Sequence, residues 1–170
     1  AQYTLQAEIE IMDRLGISGS FLIDVLSPKR LQSRVFELAG LPERTIFDER
    51  GKCMVLSALI EEDKEQLTVY RGAAENAANG FTERVSNIIA SLKRSELTAE
   101  EVLMAAEKMG EGNTAAEKLK DIGRIYAAYE QRMAGELADA EDISREMCMR
   151  FERSGVLKGQ HVFVYGFDMI

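Results

Sequence analysis

Apolar positions recur at helical spacing through most of the 170 residues. Leu5, Ile9, Met12 and Leu15, with Ile11 beside them, form one stripe and predict a helix over 2–15 that Gly16 stops. Phe21 to Leu26 (FLIDVL) is mostly apolar and reads as a strand. Ser27-Pro28 then opens a helix with Leu31, Val35, Phe36 and Leu38 on its apolar face. A further helix is predicted from Asp48 to Glu62, with Met54, Val55, Ala58 and Leu59 inward. Residues 66–71 are ambiguous and 76–80 read as a loop. Phe81, Val85, Ile88, Ile89 and Leu92 mark a helix over 82–95. Thr98 and Glu101 form a capping box for the next helix, which Gly110 ends. The longest helix is predicted over 115–134, with Leu119, Ile122, Tyr126, Tyr129 and Met133 on one side. Another spans 139–153 and carries Ile143, Met147 and Phe151. The run His161 to Tyr165, bounded by Gly159 and Gly166, has the β-branched and aromatic composition of a strand buried on both faces.

This pattern predicts a mostly α protein with a small α/β part. The strands 21–26 and 162–165 are expected to be parallel neighbours, and a block of helices forms their long crossover. The resulting division is a partial core over 1–47, a helical insertion over 48–137, and a return helix and strand over 138–170. A chain that stops directly after a buried strand is expected to be an excised fragment. Unpaired strand edges and uncovered apolar faces then predict a dimer or larger species.

A hydrophobic content of 46% is ordinary for a globular domain, and no apolar run approaches a membrane span. The opening residues carry no signal-peptide pattern, so the expected location is cytoplasmic. The net charge of −8 argues against a general nucleic-acid coat but leaves room for a local basic patch. Cys53 and Cys148 fit no metal or disulfide spacing and are expected to be reduced core residues. His161 is the single histidine. No Glu-x-x-His pair exists, which excludes a di-iron bundle, and no catalytic triad can be built unless His161 serves, which reads as the start of a buried strand.

The terminal strand leads into Tyr165, Gly166 and Asp168. Many nucleotide-hydrolysing motors carry magnesium-binding acids at such a strand end. Here Tyr165 and Gly166 occupy the positions that need acids, and Asp168 falls late. No G-x-x-x-x-G-K-[ST] loop is present, so this chain alone has no phosphate cradle. Lys29 and Arg30, with Arg34, lie where a strand meets a helix, a common place for phosphate contact. Lys93 and Arg94 complement a helix C-terminus. Lys118, Lys120 and Arg124 read as a solvated helix face. Asp139, Glu141 and Asp142 read more simply as a helix cap with acids in the first turn than as a metal cluster.

The order of these segments resembles one family. QYTLQAEIEIM resembles the segment after the second core strand of AddB subunits of bacterial AddAB helicase–nucleases. FLIDVLSPKRLQSRVF is similar to that family's next strand and helix. LKRSELT, from Leu92 to Thr98, resembles its LKRYEIT stretch. IYAAYE, from Ile125 to Glu130, followed by Asp139 and Asp142, is similar to a further run. Gly159 to Asp168 resembles its strand ending in GFD. RexB subunits of related nucleases are an equally good match, and the ordered combination covers nearly the whole chain.

The resemblance implies a superfamily 1 helicase-like, P-loop type core that is incomplete in these residues. The parent would be an ATP-dependent exonuclease subunit that processes double-strand DNA ends for recombinational repair, with an AddA-like partner subunit. ATP with magnesium and an iron–sulfur cluster belong to other parts of that parent assembly, with no cofactor in this chain. Tyr165, Gly166 and Asp168 would be degenerate Walker-B-equivalent positions. Candidate nucleic-acid contacts are Gln2, Thr4, Ser27, Lys29, Arg30, Lys93 and Arg94. On this reading the chain is a noncatalytic DNA-binding or scaffold part. The alternative is a free-standing helical protein-interaction adaptor, and a small metal or acid–base enzyme is poorly supported by the ligand inventory.

Overall fold

The computed structural model describes residues 2–20, 22–72, 80–110 and 112–166. Seven helices lie wholly among them: α1 (Gln2–Leu15), α2 (Pro28–Ala39), α3 (Glu49–Asp63), α4 (Phe81–Arg94), α5 (Ala99–Lys108), α6 (Thr114–Met133) and α7 (Ala140–Ser154). Two short strands, β1 (Thr45–Ile46) and β2 (Leu137–Ala138), pair in parallel, with Thr45 opposite Leu137 and Ile46 opposite Ala138.

The helix starts follow local chemistry. Ser27 accepts a hydrogen bond from Arg30 N–H, with Pro28 in the first turn of α2. Asp48 accepts from Gly51 N–H at the start of α3, and Asn113 from Ala115 N–H at α6. Thr98 and Glu101 form the complete reciprocal box at α5.

The chain divides into two compact units, residues 1–42 with 144–170, and residues 43–143. The division falls within α7. In the first unit Met12, Val35 and Phe36 are buried. The Arg150 guanidinium lies 5.8 Å from the Phe36 ring centre and donates to the carbonyls of Gly40 (2.6 Å) and Leu41 (3.2 Å), just past the C-terminus of α2. The α1 stripe is not the interior expected of it: Leu5, Ile9 and Leu15 are exposed, as is Leu38 on α2.

The second unit holds the main core. Leu56, Leu59 and Ile60 of α3 pack with Phe81, Val85 and Ile89 of α4 and with Ile122, Ile125, Tyr126, Tyr129 and Met133 of α6. The α3 helix is turned from its expected phase: Met54 and Ala58 face outward, and Lys52 and Leu56 are buried. On α4, Ile88 is partly exposed. Helix α5 lies against α6, with Leu103 seated over Gly123.

Neither long strand forms among the described residues. Residues 23–26 and 160–165 have no regular structure, and Leu22 and Phe163 are both about nine-tenths exposed, at 93% and 90%. His161 is therefore an exposed coil residue, not the start of a buried strand. A β-prone composition becomes a strand only where a neighbouring backbone supplies the ladder. The pairing occurs instead between two dipeptides, where Thr45 N–H donates to Glu136 C=O (2.7 Å) and Phe47 N–H to Ala138 C=O (2.8 Å). No helix among the described residues is long and apolar enough to cross a membrane. Cys53 is half-buried and Cys148 exposed, so Cys148 is not a core residue: it faces outward on α7.

Candidate functional site

The last turn of α4 carries Lys93, and basic side chains there complement the exposed carbonyls of a helix end. The apolar phase of the same helix, set by Val85 and Ile89, turns Lys93 toward the interior, where it is only 3% exposed. Lys52 on α3 is likewise buried, at 1%. Tyr129 enters from α6. The chain then leaves α6, passes Gly135 with φ +96°, forms β2, and delivers Asp139 to the same place. Asp139 caps α7: its Oδ1 accepts from Asp142 N–H (2.9 Å), while Asp139 N–H donates to Asp142 Oδ2 (3.2 Å).

Asp139 Oδ2 is the centre of the cluster. It accepts from Lys93 Nζ (2.9 Å) and from the Tyr129 hydroxyl (2.9 Å), and Lys52 Nζ lies 3.4 Å away. Lys93 Nζ is also 2.7 Å from Asp142 Oδ1 and 3.2 Å from Glu130 Oε1, the latter a close charge pair without hydrogen-bond geometry. Lys52 Nζ donates to Glu141 Oε2 and Arg94 Nη1 to Glu141 Oε1, both at 3.0 Å. The Tyr129 ring centre lies 5.9 Å from the Lys52 ammonium and 5.5 Å from that of Lys93.

Burial alone would favour the neutral form of every member. For Asp139 burial pushes the carboxyl up, but the Lys93 hydrogen bond, the Asp142 N–H and the two ammonium charges outweigh it. They hold the carboxyl down at about 2. For Lys93 burial pulls the ammonium down, and hydrogen bonds to Asp142 and Asp139 reverse this, leaving it above its ordinary value. Burial and the Asp139 charge push the Tyr129 phenol well above its usual range. None of these three groups titrates near neutral pH, so none is tuned for general acid–base work there. Their chemistry is charge pairing that joins α3, α4, α6 and the start of α7. Among the described residues no group of three or more His, Cys, Asp or Glu side chains is placed to hold a metal ion. The two cysteines lie in different units and fit no cluster site.

A second buried carboxylate, Asp121 on α6, accepts from three successive backbone N–H groups: Thr68 (3.0 Å), Val69 (2.8 Å) and Tyr70 (3.0 Å). Sequence reading passed over both Asp121 and Lys52, because a lone charge within a helical pattern looks solvated. A shallow groove of about 330 Å³ runs along α4, lined by Asn87, Ile88, Ser91, Leu92 and Ser95.

The sequence-derived candidates fall in both units: Gln2, Thr4, Ser27, Lys29, Arg30, Tyr165 and Gly166 in the first, Lys93 and Arg94 in the second. Lys93 is internal and held by carboxylates, so it presents no charge to solvent. Arg94 is exposed and engages Glu141 and the Ser91 hydroxyl. Lys29 and Arg30 are exposed in the first turn of α2, with Ser27 as its cap. Arg30 Nη1 reaches Val25 C=O at 3.4 Å. Gln2 opens α1, and Thr4, partly buried, follows it. Tyr165 and Gly166 are exposed and in no strand, and Asp168 lies outside the described residues. Of the third basic group, Lys120 pairs with Glu117, and Arg124 donates to Gln66 C=O (2.6 Å).

Comparison with known proteins adds what this geometry does not. The chain is 30% identical over 167 residues to the B subunit of the ATP-dependent helicase/deoxyribonuclease of Alkaliphilus metalliredigens (strain QYMF), covering 98% of the chain and 14% of that relative. It is 33% identical over 175 residues to the protein of the same name from Bacillus velezensis (strain DSM 23117 / BGSC 10A6 / LMG 26770 / FZB42), with the same coverage. The Clostridium kluyveri (strain NBRC 12016) protein of that name is 28% identical over 167 residues, again 98% of this chain and 14% of the relative. The chain thus spans about one-seventh of the length of these relatives. The family model described as "ADDB, N-terminal" matches residues 1–170, and the chain belongs to that family.

Proposed function

We propose that this chain is the N-terminal part of the AddB subunit of a bacterial ATP-dependent helicase/deoxyribonuclease, acting in double-strand-break end processing and recombinational repair. The observation that carries this reading is the family match over residues 1–170. In it, residues 1–47 and 138–170 belong to a helicase-like core and residues 48–137 to a helical domain inserted in it. The chain works in the cytoplasm beside an AddA-like partner subunit. ATP, magnesium and an iron–sulfur cluster serve other parts of that assembly. The role of this part is noncatalytic: it supports the assembly and contacts DNA.

Lys29 and Arg30 are the residues favoured for DNA contact. Both are exposed in the first turn of α2, where cations oppose the helix dipole. Positive charge kept at such a cost is well placed for a phosphate backbone, with exposed Arg94 a further contact. The test is fluorescence anisotropy of a short labelled single strand against the full chain, at low and then moderate salt. Saturable binding that weakens steeply with salt, and weakens further in Lys29→Ala/Arg30→Ala, is the expected result. No binding at low salt overturns the DNA-contact role and leaves a scaffold.

A second reading, a helical protein-interaction adaptor, is favoured by the exposed Leu5, Ile9 and Leu15 on α1. The same exposure favours self-association. A solution mass at the monomer value across a concentration series counts against it.

A further inference from the structure

The chain that returns from the helical block meets β1 through a ladder of two residues, Leu137 and Ala138. A ladder this short specifies its own register weakly, because few hydrogen bonds and few side chains distinguish one alignment from the next. The apolar pattern contributes through only two side chains, Leu137 against the main core and the fully buried Ala138, in the run Glu136-Leu137-Ala138-Asp139-Ala140. The orientation of the next helix depends heavily on the alignment. Helix α7 starts at Ala140, and a slip of one residue turns every α7 side chain by about 100° around the helix axis.

The geometry points to the buried ionic cluster as the device that fixes this register. A slip in one direction puts Ala138 where Asp139 stands, and a slip in the other puts Ala140 there. Either way Lys93 and Lys52, both buried, lose the carboxylate that lies 2.9 Å and 3.4 Å from their ammonium groups. The Tyr129 hydroxyl loses its acceptor as well. Depriving the two buried ammonium groups of the carboxylate they share, with only Glu130 left within reach of Lys93 from α6, is far more costly than any difference between two-residue ladders, so only one alignment is tolerated. The cluster works against the wrong registers more than it adds to the stability of the right one.

Disulfide trapping tests this on the full chain in a Cys53→Ser/Cys148→Ser background. Thr45→Cys is combined in turn with Glu136→Cys, Leu137→Cys and Ala138→Cys. With the cluster intact, the 45/137 pair is expected to cross-link about tenfold faster than either slipped pair, since a disulfide demands close, properly directed Cβ atoms. In a Lys52→Met/Lys93→Met/Asp139→Asn background, which keeps a capping side chain, the slipped pairs should gain and the preference should fall to about twofold or less. Cross-linking still confined to 45/137 overturns the inference. So does loss of cooperative folding in that background, since the cluster would then be supplying stability instead of register. A second pair of variants moves the carboxylate. Ala138→Asp/Asp139→Ala should shift the preferred partner of residue 45 to 136, and Asp139→Ala/Ala140→Asp should shift it to 138. A preference that stays at 137 in both also overturns it.

Discussion

Lys93 Nζ lies 2.9 Å from Asp139 Oδ2 across 46 residues of sequence, with both side chains 1% exposed. Removing one partner leaves the other charged in a site that water does not reach. Lys93→Met is expected to destabilise the fold by about 3–5 kcal/mol, measured by urea unfolding. Replacing Lys52, Lys93 and Asp139 together with neutral residues should cost much less, and a larger loss from the triple change contradicts this account.

The cluster also sets the pH range of stability. The Asp139 carboxyl is lowered from 3.8 to about 2, so its contribution is present above pH 4 and is lost as pH falls through 2. The expected loss is about 2 kcal/mol. Lys93 is raised above 10.5, so its contribution is full below that value and is lost as pH rises through the folded-state value. Tyr129, raised above 10.0, acts in the same direction at the alkaline end. Thermal unfolding from pH 2 to 11 should show a plateau between about 4 and 10, and Asp139→Asn should flatten the acid limb, leaving the smaller part due to Glu101, which the Thr98 hydrogen bonds also hold low.

Asp121 gathers the N–H groups of Thr68, Val69 and Tyr70, just ahead of helical Arg71 and Gly72. Asp121→Ala leaves those donors without their acceptor and is expected to cost about 3–5 kcal/mol. Asp121→Asn, which keeps one oxygen acceptor, should cost about 1–2 kcal/mol. Hydrogen exchange at residues 68–70 reports the same order.

Glu96 follows the last turn of α4 with φ +57°. Its N–H donates to Lys93 C=O and Leu97 N–H to Leu92 C=O, both at 3.0 Å, the bonding pattern that glycine ordinarily serves. Glu96→Gly removes the Cβ strain and is expected to raise stability by about 0.5–1 kcal/mol. A lower Tm contradicts this.

A Cβ on Gly123 would stand 2.7 Å from Leu103 Cδ2 and 2.8 Å from its Cγ. Alanine gains about 1 kcal/mol of helix propensity, but the overlap outweighs it. Gly123→Ala is expected to destabilise by about 1 kcal/mol net, and Leu103→Ala should relieve most of that in a double-mutant cycle.

The helices were legible in the sequence because their signals are local. Ser27-Pro28, Thr98 with Glu101, and the Phe81–Leu92 stripe each act within one or two turns, and the structure places helix starts there. The family was legible for a related reason, since ordered short segments survive without knowledge of their contacts. Strands were not. Residues 22–26 and 161–165 carry strand composition but gain no ladder among the described residues, while Thr45–Ile46 and Leu137–Ala138 pair with almost no signal. Lys93 reads as a helix-end charge, and Lys52 carries no signal of its own in the sequence. Only the tertiary fold decided that both are buried on Asp139, because that depends on where α3, α4, α6 and the start of α7 converge. Local hydrogen bonds and side-chain periodicity are written in neighbouring residues, whereas pairing across 46 or 87 positions exists only once packing has brought the partners together.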